Sequence, residues 1–147
     1  MITVRVQTEA FDLAAEVRAL SEDRTDIGAV ASFVGFVRGG EVEALTLEHY
    51  PAMTAKALEA IAAEAASRWP LLGGTVIHRH GRLLPGDAIV LVAVAAAHRG
   101  DAFAACEFVM DYLKTNAPFW KKEETGGESR WVEAKQGDET ARDRWRR

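Results

Sequence analysis

The stretch AIVLVAVAAA, residues 88–97, runs through HRG at 98–100 into DAFAACEFVMDYLKTN at 101–116, and the fold class is read from it. Ten residues without a charge, rich in valine and alanine, read as a very apolar strand. The run is far short of the ~20 residues that cross a bilayer as a helix. The segment that follows has helical character and stops before Pro118. Phe103, Cys106, Phe108, Val109, Met110 and Leu113 cover most of its surface, which predicts a largely buried helix. Glu107, Asp111 and Lys114 form a narrow polar stripe at i, i+4 and i+7.

Strand and helix signals alternate on both sides of this core unit. Residues 2–7 read as a first strand, with Ile2, Val4 and Val6 on one face. A helix is expected over 11–20, from Leu13, Val17 and Leu20. Residues 27–38 read as a long strand, apolar on both faces and so central in a sheet. Gly39-Gly40 suits a two-residue hairpin turn to a partner strand at 41–50. Pro51 suits the first position of a helix running to about Trp69, ended by Pro70 and Gly73-Gly74. A strand is expected at 75–83 and a hairpin at 119–133 around Gly126-Gly127. The order predicts an α+β fold: an antiparallel or mixed sheet with three helices packed on it, plus a small β-hairpin subdomain, hammerhead-like. Residues 1–135 are expected to form a single domain, and 136–147 a charged C-terminal tail.

Composition narrows the function classes. The 147 residues are 48% hydrophobic and 27% charged, which gives ample material for a core and excludes disorder of the whole chain. No leader or membrane segment is expected. A net charge of −4 does not favour nucleic-acid binding. Cys106 stands alone, so an intramolecular disulfide and an all-cysteine metal site are excluded, and a reducing cytoplasm is expected.

Cationic side chains nevertheless gather at the ends of elements. Arg38 ends the second strand, His98-Arg99 precede a helix, Lys114 lies in that helix's last turn, and Lys121-Lys122 follow Pro118-Phe119-Trp120. A helix N-terminus with His98 and Arg99 suits a phosphate. For Lys114 two readings stand: an ion pair with Asp111 or Glu107, or a lysine held against a substrate pocket. His78 and His80 share a strand face, but spacing supplies no third ligand, so no metal site is expected. Cys106 reads as a core residue and not as a nucleophile.

Seven ordered segments together resemble a known family. They are Phe33-Val34-Gly35-Phe36-Val37-Arg38, Leu47-Glu48-His49-Tyr50-Pro51, His78-Arg79, Ala97-His98-Arg99, Met110-Asp111-Tyr112-Leu113-Lys114, Ala117-Pro118-Phe119-Trp120-Lys121-Lys122-Glu123, and Arg130-Trp131-Val132. The set resembles the large, catalytic subunit of molybdopterin synthase, the MoaE family, over residues 2–135. The resemblance implies a sulfurtransferase of molybdenum cofactor biosynthesis. Its substrate would be cyclic pyranopterin monophosphate (precursor Z). The sulfur would come from the C-terminal thiocarboxylate of a small ubiquitin-like partner, so no cofactor is expected. It further implies a homodimer with one small subunit on each end, a heterotetramer.

The implied substrate-binding residues are Phe36, Val37, Arg38, His98, Arg99, Lys114, Lys121, Lys122 and Glu123, with Lys114 and Lys121 catalytic. His80 departs from the family pattern. Two non-enzymatic readings compete: a phosphate- or pterin-binding module, and a docking protein for the carrier. Arg99 and Lys114 lie at opposite ends of one helix, ~22 Å apart at 1.5 Å per residue. The expectation is therefore that His98-Arg99 of one protomer complete the lysine site of the other.

Overall fold

A computed structural model describes residues 2–132 and 136–146. In chain order the elements are β1 (Ile2–Gln7), α1 (Leu13–Ser21), β2 (Ala29–Phe36), β3 (Ala44–His49), α2 (Pro51–Arg68), β4 (Leu71–Arg79), β5 (Gly81–Leu83), β6 (Ala88–Ala96), α3 (Arg99–Asn116), β7 (Phe119–Thr125), β8 (Glu128–Val132) and α4 (Gln136–Asp143). The fold is α+β, as the element order predicts, with the strands divided between two four-stranded sheets.

The first sheet has the order β1-β4-β6-β2, parallel between β1 and β4 and antiparallel elsewhere. Helices cover both of its faces. Val90, Val92 and Val94 of β6 pack with Leu58 and Ile61 of α2 and with Phe108, Val109 and Leu113 of α3. Leu91, Ala93 and Ile77 face the other way, towards Phe11 and Leu20. Burial on both faces explains why residues 88–97 show no polar alternation.

The expectation that 27–38 is a central strand fails: β2 is at the edge, paired only with β6 among the described strands. Its faces are apolar because α3 lies over Ala31 and because Val30 and Val34 join the cluster beside α1. Face composition reports what lies above and below a strand and says nothing about its edges.

The second sheet has the order β5-β3-β7-β8, antiparallel throughout. The expected β7–β8 hairpin is present, with Gly126 and Gly127 at φ +58° and +83°. It is half of a sheet, because β3 and β5 join it. The expected hairpin around Gly39-Gly40 is absent: β2 and β3 belong to different sheets. Only Gly40 has a positive φ, and a type I′ turn needs two such residues. Val37 is instead bonded to the 86–87 turn, its N–H to Asp87 O at 2.9 Å and its carbonyl accepting from Gly86 N at 2.8 Å.

The expected strand at 75–83 is two strands in two sheets, broken at His80 with Gly81 at φ +92°. Gly73 and Gly74 do not end α2; they lie inside β4. A Cβ on Gly74 would stand 3.0 Å from Ile2 and 3.1 Å from Ala93 O, so the strands pass close there.

Four helices are present among the described residues, one more than expected. The fourth, α4, lies in the charged tail and leads to Trp145, which is packed edge-on to Trp69 and Phe108 at 5.7 and 5.6 Å.

Candidate functional site

The two sheets meet where β2 and β4 end and β6 begins. Val37, Leu45, Leu47 and Leu83 form a small core there, with Ile89 and Phe119 against it. On β7, Phe119, Lys121 and Glu123 pair with His49, Leu47 and Leu45 of β3, so alternation turns all three towards this junction. The C-terminal end of α3 brings Lys114 to the same place.

Two adjoining clefts result. The inner one, about 560 Å³, is lined by Phe36, His78, Ile89, Lys114, Phe119 and Lys121 among others. The outer one, about 930 Å³, shares Phe36, Lys114 and Lys121 and adds Val37, Arg38 and Glu123. Six of the nine sequence-predicted site residues thus line one continuous depression. Glu123 also faces Arg130 at 3.7 Å.

Three do not join it within this chain. Lys122 points to the opposite face of β7, with Nζ 5.4 Å from the centre of the Trp131 ring. His98 and Arg99 are exposed at the other end of α3, where His98 is the N-cap and makes no side-chain capping bond. Trp120, on the same face of β7 as Lys122, meets Tyr50 edge-on at 4.9 Å and stays out of the clefts.

The ion-pair reading of Lys114 does not hold. Asp111 Oδ2 accepts from Trp145 Nε1 at 2.6 Å and from Arg144 Nη2 at 2.8 Å. Glu107 also pairs with Arg144. The C-terminal segment occupies the acidic stripe of α3, and Lys114 makes no ion pair among the described residues. Its ammonium is left to the cleft.

His78 is a cleft residue that the sequence reading missed. It is 6% exposed, and its ring stacks on Phe119 with centroids 3.7 Å apart and planes 17° from parallel. Burial is the largest cause and holds its pKa down to about 4; the bond to the Arg79 carbonyl pulls upward, and the nearby charges of Lys121, Lys114 and His49 each add a smaller lowering. The imidazole is therefore neutral at pH 7. The H-x-H spacing hid this, because the strand breaks between the two residues. His80 turns instead to His49, with ring centroids 4.2 Å apart. His49 is held below the ordinary histidine range by burial and then by His80.

Cys106 is a core residue, its thiol pushed up to about 11 by burial. The site chemistry is therefore cationic: two lysines and an arginine around a partly apolar cleft. Such a cleft can bind a phosphorylated, ring-containing molecule or a carboxylate-like chain end, and can neutralise developing negative charge.

The chain is similar to known proteins over nearly its whole length. Residues 6–116 match the family described as MoaE protein. A relative from Ralstonia nicotianae, the molybdopterin synthase catalytic subunit, is 58% identical over 99% of this chain and 85% of its own length. The solved structure of the molybdopterin biosynthesis MoaE protein from Burkholderia ambifaria has a TM-score of 0.86 at 61% identity, covering 99% of this chain and 98% of that one. A chain of the complex of subunits 1 and 2 of molybdopterin-converting factor from Helicobacter pylori shares the fold, with a TM-score of 0.75 at 22% identity, covering 88% of this chain and 90% of that one.

Proposed function

The chain belongs to the MoaE family of molybdopterin synthase catalytic subunits, and on that premise we propose that it transfers sulfur to cyclic pyranopterin monophosphate (precursor Z), making molybdopterin. The sulfur arrives as the C-terminal thiocarboxylate of a small ubiquitin-like partner. The similar Helicobacter pylori chain comes from a complex of two subunits, which supports a second subunit as partner here. The observation that carries the reading is the convergence of Lys114, Lys121 and Arg38 on one cleft, with Lys114 released from its acidic neighbours.

The chemistry follows from what each group can do. The thiocarboxylate sulfur displaces an oxygen substituent at a carbon of the substrate. The carbon–oxygen bond breaks as the carbon–sulfur bond forms, the oxygen leaves as water or on the phosphate, and an acyl thioester joins carrier and substrate. Water then adds to the acyl carbon, forming a tetrahedral oxyanion. Collapse breaks the carbon–sulfur bond on the carrier side, leaving a carboxylate on the carrier and a thiolate on the substrate. Lys114 neutralises the oxyanion and moves protons in these steps. Lys121 shares that role or holds the thiocarboxylate. Arg38 at the rim, and His98 and Arg99, bind the substrate phosphate. Phe36 offers an apolar wall for the pterin ring, and no thiol or metal of this chain takes part.

Arg99 and Lys114 stand at opposite ends of α3, so His98 and Arg99 are supplied to the cleft by the second protomer of a homodimer. The proposed assembly, a homodimer with one carrier at each end, is the heterotetramer that the family resemblance implies. No helix among the described residues is long and apolar enough to cross a membrane, and the proposed setting is the cytoplasm.

The test is reconstitution: this chain, thiocarboxylated carrier and precursor Z, with the dithiolene product followed by mass spectrometry. Product that depends on this chain is expected. An assembled complex that makes none would leave a docking module and remove the enzymatic reading.

A further inference from the structure

His78 has no part in the scheme above, yet it shares the inner cleft with both lysines and feels their charge. Its Nδ1 is 2.8 Å from the carbonyl oxygen of Arg79. A carbonyl only accepts, so Nδ1 carries the proton, and in a neutral ring Nε2 then holds a lone pair. That lone pair reaches the cleft: His78 lines it, and among the described residues the one buried side-chain nitrogen or oxygen without a partner is His49 Nδ1. Phe119, on which the imidazole stacks, stands two residues before Lys121 on the same face of β7. Lys121 therefore rises beside the ring, and Lys114 approaches from α3.

We propose that His78 is a positioning residue of the cleft, its Nε2 accepting a hydrogen bond from the Lys121 ammonium. An ammonium has three donors, so this bond adds to any other contact Lys121 makes. One N–H fixed against Nε2 aims the remaining two at the bound thiocarboxylate. The arrangement suits a neutral ring, which adds no third positive charge beside the two lysines. The role rests on the sulfur-transfer reading, whereas the tautomer and the contact do not.

Two substitutions separate this role from mere packing. In His78→Asn the side-chain amide can keep a donor near the Nδ1 position, and nothing remains at Nε2. In His78→Gln the amide oxygen reaches the Nε2 position. In the reconstituted reaction, kcat should fall at least 10-fold in His78→Asn and return to within about 3-fold of wild type in His78→Gln. Equal activity of His78→Asn and wild type, or equal loss in both variants, would overturn the proposal.

Nitrogen-15 NMR of the free chain gives an arm independent of turnover. His78 should appear as the Nδ1–H tautomer from pH 5 to 8, and the Lys121 Nζ resonance should shift in His78→Asn but not in His78→Gln. An Nε2–H tautomer, or a Lys121 signal unmoved in both variants, would overturn it. If wild type itself makes no product, the sulfur-transfer reading falls and the NMR arm alone decides the His78 contact.

Discussion

Trp145 donates its indole N–H to Asp111 at 2.6 Å, and through that bond the C-terminal segment decides the surroundings of Lys114. Asp111 lies three residues before Lys114 on α3, the spacing at which an ion pair would otherwise form. Arg144 takes both Asp111 and Glu107. Exposed ion pairs alone contribute about 0–1 kcal/mol each. The anchor is Trp145, packed on Trp69 and Phe108.

Trp145→Ala should therefore act twice. Loss of a half-buried indole and its bond to Asp111 should cost about 2–4 kcal/mol, read as a lower melting temperature. Asp111 then becomes available to Lys114, and turnover should fall several-fold at temperatures where the chain is still folded. Asp111→Asn in the same background should restore part of the rate. No recovery would detach the tail from the site chemistry.

Lys114 itself separates catalysis from binding. Lys114→Ala should lower turnover by about 10²–10⁴, the usual range for general acid–base groups. Lys114→Arg keeps the charge but cannot give up a proton near neutral pH. It should hold precursor Z and carrier about as well as wild type, as read by calorimetry, and stay almost inactive. A fully active arginine variant would favour a charge-only role, and with it the binding-module reading.

The length of α3 gives a prediction about assembly. Arg99→Ala and Lys114→Ala chains should each be inactive alone. Mixed and re-equilibrated, they should recover some activity, because one site of the heterodimer has both residues intact. Confirmed heterodimers without recovery would place His98 and Arg99 outside the lysine site.

The reading of the sequence succeeded where local pattern and burial agree. Residues 88–116 gave a strand and a buried helix because their surroundings are apolar on nearly every side. Phe119–Val132 gave a hairpin because Gly126 and Gly127 supply the backbone its turn demands. Gly39-Gly40 misled because glycine permits a turn without requiring one. There the bonds of Val37 to residues 86 and 87, about fifty positions away, took the chain into a second sheet. The cleft residues were legible from the resemblance of short motifs. His78 was not, because its position follows from a strand break at His80 and from a ring on another sheet.

Gly28 bears on the far end of the site. A Cβ there would lie 2.0 Å from the carbonyl oxygen of Ala97, a backbone atom that cannot step aside cheaply. The Gly28 N–H also bonds Ala96 O at 3.0 Å. Gly28→Ala should thus push on the segment that carries His98 and Arg99. About 2 kcal/mol or more of stability should be lost, and KM for precursor Z should rise while its lysine-dependent chemistry persists. An alanine variant with wild-type melting and KM would mean that residues 97–99 yield freely.

The neutral, buried state of His78 makes stability depend on pH, and the sign can be worked out. Its folded pKa of about 4 lies below the ordinary histidine value of 6.5. As pH falls from 6.5, the unfolded chain takes up a proton that the folded chain refuses, so the unfolded state binds more protons and stability declines. The loss continues until pH passes through about 4, where the folded form protonates as well. At ~1.4 kcal/mol per pKa unit, the window is worth on the order of 3 kcal/mol. His49, also held low, adds loss of the same sign. His78→Phe keeps a ring to stack on Phe119 and removes this titration. Urea melts at pH 7 and pH 4 should therefore show a smaller drop for His78→Phe than for wild type. Carboxylates titrate in both chains and cancel in the comparison. Equal drops would mean that His78 accepts its proton in the folded state as easily as in water.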